Sequence, residues 1–314
     1  MTATKYRASF IIPLYKSEES LPDLISSLER LDLDSNQHEF IFVNDASPDQ
    51  TLSVISELLR NSSLSYKLLS HTRNYGEHNS VLTGYRHSLG DYVINLDDDL
   101  QNPPQEAIRL LQYAETYDCD VVYGDYQQKM HAHWRNLGSK LANFTARLLL
   151  NTDPSIYLSS FRCLRGDLAR QVAAYRGPYP YIDGLIPQYT TDICSLTVKH
   201  CQRDIGSSSY NVRRLVRLWL IIFTSFSIMP LRLATILGVL SFLTGIIFSL
   251  ALIFDYIANG TIAPGWTSTL CIILSAFGIQ SLLIGILGEY LGRILLTVSN
   301  KPQSHVRQLI TNQD

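Results

Sequence analysis

Two patterns of hydrophobic residues divide the chain. In the first part, short apolar runs alternate with stretches in which apolar residues recur at helical spacing. The runs predict buried strands at Ser9–Pro13, Phe40–Asn44, Lys67–Ser70, Tyr92–Leu96 and Val121–Tyr123. The stretches between them predict helices at Glu18–Leu31, Thr51–Arg60, Asn79–Ser88 and Pro104–Tyr117. This alternation predicts an α/β fold, with a mostly parallel sheet that has helices on both faces.

Two long uncharged runs follow this part of the chain. Leu233–Phe254 has 22 residues and Trp266–Gly288 has 23. At 1.5 Å per residue a helix of either length spans about 33 Å, which is enough to cross a hydrocarbon core of about 30 Å. We therefore predict a C-terminal hairpin of two transmembrane helices; the alternative is a helix pair buried in a soluble domain. Small residues in these runs would permit close helix packing, which is weak evidence for a homo-oligomer; they are Gly238, Gly245, Gly285 and Gly292.

Positive charges predict how the two helices are oriented. Lys and Arg occur on both outer flanks, at Arg213, Arg214, Arg217, Arg232, Arg293, Lys301 and Arg307. The link Asp255–Gly265 contains neither Lys nor Arg. By the positive-inside rule, both flanks face the cytoplasm and only the link lies outside. The sequence thus predicts a multi-pass protein of the inner (cytoplasmic) membrane whose residues 1–230 are cytoplasmic.

Two shorter apolar stretches complete the predicted organisation. Leu218–Met229 follows three arginines and is typical of a helix in the lipid headgroup layer; a core helix is the alternative. His133–Leu150 mixes basic and apolar residues and predicts a second amphipathic helix, either on the membrane or packed on the domain. The predicted parts are a soluble domain at 1–210, an interfacial helix at 211–230, two transmembrane helices at 231–295 and a cytoplasmic tail at 296–314.

Composition excludes several classes of protein. The chain has 314 residues, a formal net charge of −2 and 46% hydrophobic residues, so it is neither disordered nor basic enough to suggest nucleic-acid binding. Its five cysteines are scattered and include no Cys-x-x-Cys pair, which argues against a disulfide scaffold and suggests a reducing compartment. The sequence contains no phosphate-binding or dinucleotide-binding glycine motif.

The most informative polar stretch follows the fourth predicted strand. Asp97, Asp98 and Asp99 are adjacent there, and such charges repel one another unless a cation lies nearby. Residues two apart on an extended chain point the same way, so Asp97 and Asp99 can converge on one ion, with Gln101 as a further oxygen ligand. Oxygen ligands without nearby His or Cys favour Mg²⁺ or Mn²⁺. The alternative is a solvated acidic turn before a helix.

Four stretches, in this order and spacing, resemble family 2 glycosyltransferases, whose GT-A fold is a Rossmann-like, mostly parallel sheet with flanking helices. They are Ile12–Tyr15, Val43–Thr51, Arg73–Gly76 and Asp97–Pro104. Within that family the chain resembles the polyprenyl-phosphate glycosyltransferases, such as dolichyl-phosphate mannose synthase, bactoprenol glucosyltransferase and undecaprenyl-phosphate aminoarabinose transferase. The resemblance extends over nearly the whole chain through Phe161–Arg162, Arg203–Ser208, the two apolar runs and Leu287–Arg293.

The resemblance implies a site for each substrate. Asp45 would contact the uracil or ribose of a UDP-sugar beside the backbone of Pro13–Tyr15. A divalent ion on the diphosphate would be held by Asp97, Asp99 and Gln101, and phosphate groups near the membrane would meet Arg203 and Ser208. The full set of candidates is Asp183, Arg203 and Arg162 for catalysis, Pro13, Tyr15, Asn44, Asp45, Arg73, Asp98 and Ser208 for the nucleotide-sugar, and Asp97, Asp99 and Gln101 for the metal.

The chain departs from the family pattern in several places, at Asn44, Ala46, Ser209 and, most importantly, Ser160. Many relatives have Asp immediately before Phe-Arg, where this chain has Ser160, and Asp183 is the best remaining carboxylate for a base; a plain turn residue is its alternative. The implied acceptor, a polyprenyl phosphate, is largely dianionic at neutral pH because its second pKa is about 6, so it needs little proton removal. Arginines such as Arg203, Arg162 or Arg135 would offset that charge; alternatively, Arg73 and Arg162 are ordinary ion-pair partners.

These features lead to one functional hypothesis and two alternatives. The hypothesis is transfer of a sugar, glucose by default, from a UDP-sugar to undecaprenyl phosphate on the cytoplasmic leaflet. The reaction would be a single metal-dependent displacement that inverts the anomeric centre. The first alternative is a membrane-bound polysaccharide synthase with a sugar acceptor. The second is a non-catalytic, membrane-anchored sugar-binding subunit.

Overall fold

One eight-stranded sheet organises the first of two compact units in the computed structural model. The structure describes residues 6–31, 33–126, 156–177, 180–199, 201, 229–259, 265–299 and 302–312. The first unit is Met1–Val216 together with Pro302–Asp314, and the second is Arg217–Lys301. The predicted helix at 133–150 and nearly all of the predicted interfacial helix at 218–229 lie outside the described residues.

The strands of this sheet include all five that the apolar runs predict. They are β1 (Tyr6–Leu14), β2 (His38–Asn44), β3 (Tyr66–His71), β4 (Gly90–Asn95), β5 (Val121–Asp125), β6 (Arg162–Arg165), β7 (Ile193–Thr197) and β8 (Val306–Thr311). Their order across the sheet is β7-β5-β6-β4-β1-β2-β3-β8. Only β6 and β8 run antiparallel to their neighbours among the described strands. The prediction of a mostly parallel sheet is therefore confirmed.

Helices cover both faces of the sheet, as the alternating pattern predicts. They are α1 (Leu21–Glu29), α2 (Thr51–Arg60), α3 (Glu77–His87), α4 (Pro104–Tyr117), α5 (Gly166–Ala173) and the short α6 (Ile182–Leu185), which continues as a 3₁₀ turn at Ile186–Gln188. Apolar side chains of α1, α2 and α4 pack with Phe10 and Phe42 in one core. On the other face, Gly84 of α3 lies against Ile11, where an added Cβ would clash. This glycine lets α3 lie close to β1, and so fixes the beginning of α3 near the end of that strand.

The end of the chain differs from the predicted tail. Residues 306–311 form β8, which pairs antiparallel with β3 from Lys67 opposite Thr311 to His71 opposite Val306. The side chain of Asn312 continues this pairing, because it accepts from the Tyr66 N–H at 2.9 Å and donates to the Leu64 carbonyl at 2.7 Å. The predicted tail at 296–314 therefore contains a strand that forms the edge of the sheet, and its cytoplasmic location stays a prediction.

A disulfide bond corrects the expectation that the cysteines are unpaired. Cys119, between α4 and β5, is bonded to Cys194 in β7, 75 residues away. The parallel pairing of β5 with β7 brings the two together, because Cys194 lies opposite Val122. Sequence spacing could not reveal this pair, since the contact depends on a strand pairing between distant segments. Cys163 and Cys201 are free.

Two long helices make up the described part of the second unit. They are α7 (Met229–Asn259) and α8 (Trp266–Val298). Each contains a segment long and apolar enough to cross a membrane, at Ala234–Asp255 and Ala276–Val298. The first segment matches the predicted span, whereas the second lies about ten residues beyond the predicted start because α8 continues well past Gly288. The predicted pair of apolar C-terminal helices is confirmed.

Candidate active site

The loops that follow β1, β2 and β4 meet at the carboxyl edge of the sheet. Parallel neighbouring strands end at the same edge, so the residues after each strand come together there. Ser17, after β1, donates its N–H to Thr51 Oγ1 at 2.9 Å and its hydroxyl to Asp98 Oδ2. The Lys16 N–H donates to Ser47 Oγ at 3.2 Å. These bonds join the three loops into one structure.

Backbone strain is concentrated in these same loops. Four non-glycine residues have a positive φ among the described residues, and three of them lie here: Lys16 (59°), Ala46 (51°) and Leu100 (57°). Each follows a different strand, β1, β2 or β4. A left-handed conformation costs an ordinary residue about 1 kcal/mol and is typical of turns that hold a functional group in a fixed direction. These strained turns therefore make the carboxyl edge of the sheet a candidate binding site.

The acidic turn after β4 holds three partly exposed carboxylates. Asp97 Oδ2 accepts from Ser160 Oγ at 2.9 Å and from Asn102 Nδ2 at 3.4 Å. Asp99 Oδ1 accepts the Gln101 N–H at 3.1 Å. Burial and the neighbouring charge of Asp99 raise the pKa of Asp97. Burial also raises the pKa of Asp98 to about 6, with the Asp97 and Asp99 charges adding to the effect. The turn concentrates negative charge, as the sequence predicts.

Glu77, the first residue of α3, adds a further carboxylate that the sequence analysis missed. Its side chain is exposed to solvent, yet its pKa is raised to about 7 by desolvation and by the charges of Asp97, Asp183 and Asp98. Because α3 begins at the carboxyl edge of the sheet, Glu77 lies close enough to the acidic turn for the Asp97 and Asp98 charges to act on it. We call the region that Glu77 shares with the acidic turn the cleft.

Histidine 78 gives this cleft no compensating positive charge. Burial lowers the pKa of His78 to about 4, so its ring is neutral at pH 7. The ring packs edge-on against Tyr181 with 5.4 Å between centroids. One feature of the sequence could have indicated Glu77 and His78: the Arg73–Gly76 stretch of the family resemblance ends immediately before them.

Asp45, at the end of β2, is saturated with hydrogen bonds from the protein. Its Oδ1 accepts from His71 Nδ1 and from the Tyr75 N–H, each at 2.8 Å, and its Oδ2 accepts the Gly76 N–H at 2.7 Å. The carboxylate is 4% exposed. It therefore holds the loop between β3 and α3 in place. Contact between Asp45 and a nucleotide base stays a prediction.

The other candidates for the nucleotide lie around this loop with different exposures. Asn44 is buried, donates to Ser70 Oγ at 3.2 Å and accepts the Ser47 N–H at 3.2 Å. Pro13 is half-buried, and Tyr15 is 47% exposed at the end of β1. Arg73 is exposed, with its guanidinium 4.8 Å from the Tyr75 ring centroid. Tyr15 and Arg73 present side chains that a ligand could contact, whereas Asn44 shapes the turn after β2.

Arg162 and Asp183 form a buried ion pair. Arg162 in β6 is 2% exposed, and its Nη1 donates to Asp183 Oδ1. Tyr123 donates its hydroxyl to the same oxygen at 3.1 Å, and Arg162 Nε is buried with no partner among the described residues. A buried pair of this kind is costly to break. The structure thus pairs two predicted catalytic residues close enough to Glu77 and Asp97 for the Arg162 charge to lower the pKa of both; their catalytic roles stay predictions.

Two candidates, Arg203 and Ser208, lie outside the described residues. The chain leading to them passes the acidic turn, because the Cys201 N–H donates to the Gln101 carbonyl at 2.8 Å. Gln101, itself a predicted metal ligand, thus contacts Cys201, the last described residue before that segment. The structure also adds Ser17, Ser160 and Asn102 to the site. The sequence analysis had noted Ser160 only as a departure from the family pattern and Asn102 only as part of the Asp97–Pro104 stretch, and it had not noted Ser17.

Comparison with known proteins extends these observations. The family model described as glycosyl transferase family 2 matches residues 9–172. A protein from Pseudomonas aeruginosa (strain LESB58), named undecaprenyl-phosphate 4-deoxy-4-formamido-L-arabinose transferase, is 30% identical over 308 residues, with 96% of this chain and 90% of the relative covered. A protein of the same name from Pseudomonas savastanoi pv. phaseolicola is 31% identical over 305 residues, with the same coverage.

A solved structure shares the fold. It is glucosyl-3-phosphoglycerate synthase from Mycobacterium tuberculosis in complex with Mn²⁺, UDP and glucosyl-3-phosphoglycerate, with a TM-score of 0.50 and 14% sequence identity. The match covers 70% of this chain and 78% of that chain. The doubly covered sheet with an acidic turn at its carboxyl edge thus has the GT-A fold. The chain belongs to glycosyl transferase family 2, and the predicted enzyme class is confirmed.

Proposed function

We propose that the protein transfers a sugar from a UDP-sugar to undecaprenyl phosphate at the cytoplasmic face of the membrane. The observation that carries this proposal is the similarity to relatives whose names specify undecaprenyl phosphate. The similarity covers 96% of the chain, so it includes most of α7 and α8 as well as the sheet. An acceptor with a polyprenyl tail stays in the bilayer, which accounts for apolar helices in a glycosyltransferase.

The donor set of the acidic turn fits a hard divalent cation. Asp97 and Asp99 offer carboxylate oxygens two residues apart, and the side chain of Gln101 would add a further oxygen. Mg²⁺ and Mn²⁺ prefer such oxygen ligands. Bound there, the ion would act as a Lewis acid that stabilises the charge of a nucleoside diphosphate leaving group. The Mn²⁺ in the solved relative supports this assignment by analogy of fold alone.

The protein's own residues would supply the positioning. Tyr15 and Arg73 flank the loops at the ends of β1 and β3 and would contact the nucleotide, with the Asp45-bound loop behind them. Arg203 and Ser208 would meet the acceptor phosphate. The buried Arg162–Asp183 pair would fix the floor of the cleft, so that the attacking phosphate oxygen and the anomeric carbon are held in line. A direct displacement of this kind inverts the anomeric centre.

Strand β8 supports the membrane topology. Residues on both sides of the two apolar helices belong to one sheet, because β8 pairs with β3. If both helices cross the bilayer, the chain must return to the side from which it started. The arginines on both flanks support a cytoplasmic location for that side.

Transfer by the purified full chain tests the proposal. The protein in nanodiscs would be given undecaprenyl phosphate, Mg²⁺ and one of several radiolabelled UDP-sugars, including UDP-glucose and the UDP derivative of the sugar named in the relatives. We expect label in the lipid fraction with one donor, dependent on undecaprenyl phosphate. The variant Asp91→Ala serves as a control that should transfer label like the wild type, since Asp91 is an exposed carboxylate at the end of β4 opposite the acidic turn. Label that stays in the aqueous phase with every donor would refute the proposal.

A further inference from the structure

A chain of hydrogen bonds connects Asp45 with the segment that follows α8. His71 Nδ1 lies 2.8 Å from Asp45 Oδ1, and His71 Nε2 lies 3.1 Å from Thr83 Oγ1. Thr83 Oγ1 in turn lies 2.8 Å from Ser304 Oγ. Ser304 is five residues beyond Ser299, the C-cap of α8. Side chains from β2, β3, α3 and the C-terminal segment are thereby joined in one line.

The direction of one hydrogen bond in this chain is fixed. Both oxygens of Asp45 accept backbone N–H groups, from Tyr75 and Gly76, so the carboxylate acts as an acceptor. His71 Nδ1 must therefore carry the hydrogen that it shares with Asp45. The orientation of the His71 ring then depends on its second nitrogen, which meets the Thr83 hydroxyl. The Thr83 hydroxyl also donates to the Asn79 carbonyl at 2.8 Å, so α3 holds Thr83 at the place where it contacts the second nitrogen of His71.

Burial makes these bonds strong enough to matter. Asp45, His71 and Thr83 are each at most 3% exposed. Water cannot replace a lost partner at such a depth, so a missing hydroxyl leaves a polar atom unsatisfied. Ser304 is only half-buried, and it is the one member that the C-terminal segment contributes.

Other contacts hold the C-terminal segment at this position. Arg86 of α3 donates to Ser304 Oγ at 3.2 Å and to Gln303 Oε1 at 2.8 Å. Gln303 Nε2 donates to the Gly177 carbonyl at 2.7 Å. The Thr72 N–H donates to the His305 carbonyl at 3.1 Å, beside the loop that Asp45 holds. The segment therefore reaches the end of β3 with both its backbone and its side chains.

We propose that Ser304 and Thr83 are positioning residues for the donor nucleotide. Through His71 they fix Asp45, and through Asp45 they hold the Tyr75–Gly76 loop at the edge of the cleft. The part of the chain that returns from the second apolar helix is then a component of the donor site. The inference has two halves. The donor half, that the loop binds the donor nucleotide, rests on the proposed function. The structural half, that Ser304 and Thr83 hold the Tyr75–Gly76 loop, does not depend on it.

Hydrogen exchange of the full chain in nanodiscs, without any ligand, tests the structural half. The variants are Ser304→Ala, Thr83→Val, which keeps the shape of the side chain, and Thr83→Ser, which restores the hydroxyl. Gln308→Ala is the matched control, because Gln308 is an exposed residue of β8 outside the hydrogen-bond chain. We expect peptides covering residues 72–78 to exchange faster in the first two variants, and at the wild-type rate in Thr83→Ser and Gln308→Ala.

UDP binding and steady-state kinetics test the donor half. Loss of one hydrogen bond predicts a Kd for UDP and a KM for the donor that are about three- to tenfold higher in Ser304→Ala and Thr83→Val. We expect kcat and the KM for undecaprenyl phosphate to stay within twofold of wild type. A merely loosened fold would lower kcat and the melting temperature without this selective change.

The outcomes separate this inference from the proposed function. Unchanged exchange at residues 72–78 in both Ser304→Ala and Thr83→Val overturns the positioning role. Faster exchange with a wild-type Kd for UDP overturns the link to the donor. A wild-type protein that neither binds UDP nor transfers sugar refutes the proposed function instead, and the exchange rates still decide whether Ser304 holds the loop.

Discussion

The ends of β2 and β4 place aspartates at the same edge of one sheet in opposite circumstances. Asp45, after β2, accepts three hydrogen bonds from His71, Tyr75 and Gly76. Asp97, after β4, lies beside Asp98 and Asp99, and burial together with the Asp99 charge raises its pKa. One carboxylate is neutralised by donors within the protein. The other belongs to a group whose charges repel one another.

This difference separates a structural carboxylate from one prepared for a ligand. Three protein donors leave Asp45 little to gain from a cation, and its removal would disturb the fold. Crowded carboxylates gain from any cation that joins them, and their removal relieves repulsion. Substitutions at the two strand ends should therefore affect different properties, activity at β4 and stability at β2.

The largest expected effect is on catalysis at the end of β4. Asp99→Ala removes a predicted metal ligand and should lower kcat by a factor of about 100 to 1,000, in line with the loss of one charge-stabilising group in an active site. The melting temperature should stay the same or rise, because repulsion with Asp97 and Asp98 is removed. Radiolabel transfer measures the first property, and thermal unfolding of the same preparation measures the second.

A matched control makes this result specific. Asp91→Ala changes an exposed carboxylate in the same strand, away from the cleft, and should leave both properties unchanged. Full turnover by Asp99→Ala, at Mg²⁺ concentrations that support the wild type, would contradict the metal assignment.

The next effect is on stability at the end of β2. Asp45→Ala leaves three donors without an acceptor, and each buried donor costs 1–3 kcal/mol, so we expect the free energy of unfolding to fall by about 3 kcal/mol. Asp45→Asn keeps one acceptor oxygen and should cost less. Urea unfolding of the full chain in detergent measures both. A wild-type midpoint for Asp45→Ala would remove the contrast between the two strand ends.

A third prediction concerns pH and the cleft between these strand ends. The pKa of Glu77 is raised to about 7 in the folded protein from an ordinary value of 4.5, so the folded state binds this proton more tightly than the unfolded state. Its contribution to stability is therefore present below pH 4.5 and is lost as the pH rises to 7. Glu77→Gln removes that dependence. Its melting temperature, relative to wild type, should be higher at pH 8 than at pH 5.

Glu19→Gln serves as the control for the pH experiment, since Glu19 is exposed in the loop before α1. It should shift the melting temperature equally at both pH values. An equal shift in melting temperature at both pH values for Glu77→Gln would mean that the charges of Asp97, Asp98 and Asp183 do not raise the pKa of Glu77.

The smallest effect concerns the donor that supports Asp97. Ser160→Ala removes the hydroxyl that donates to Asp97 Oδ2 at 2.9 Å and should cost about 1 kcal/mol. We expect the Mg²⁺ concentration for half-maximal activity to change by less than tenfold, with activity retained at saturating Mg²⁺. Metal titration of the transfer reaction measures this effect, and loss of all activity would show that Ser160 does more than support Asp97.

The sequence predicted those parts of the fold that depend on local pattern. β1 to β5 and α1 to α4 each bury a continuous or periodic set of apolar residues, so their own sequences identify them. β6 has only four residues, includes the charged Arg162 and is placed by its pairing with β4 and β5. β8 has no regular alternation of polar and apolar residues and is placed by its pairing with β3. Tertiary context, which one sequence does not display, decides both.

The same distinction applies to the site. Asp97, Asp98, Asp99 and Gln101 are contiguous, so one strand end reveals them. Glu77, Ser160 and Ser304 come from three separate segments and meet the site only through the folded sheet. The sequence analysis allowed that Arg162 is an ordinary ion-pair partner, but it did not identify Asp183 as its partner.

The position of β8 in the chain has a consequence for biosynthesis. A ribosome makes β3 long before β8, and both apolar helices are synthesised between them. The edge of β3 must therefore stay unpaired until both apolar helices and β8 have left the exit tunnel of the ribosome. A chain interrupted before residue 302 retains every carboxylate of the cleft but lacks Ser304 and the strand that closes the sheet. Completion of this edge of the sheet therefore requires that both apolar helices have already been synthesised.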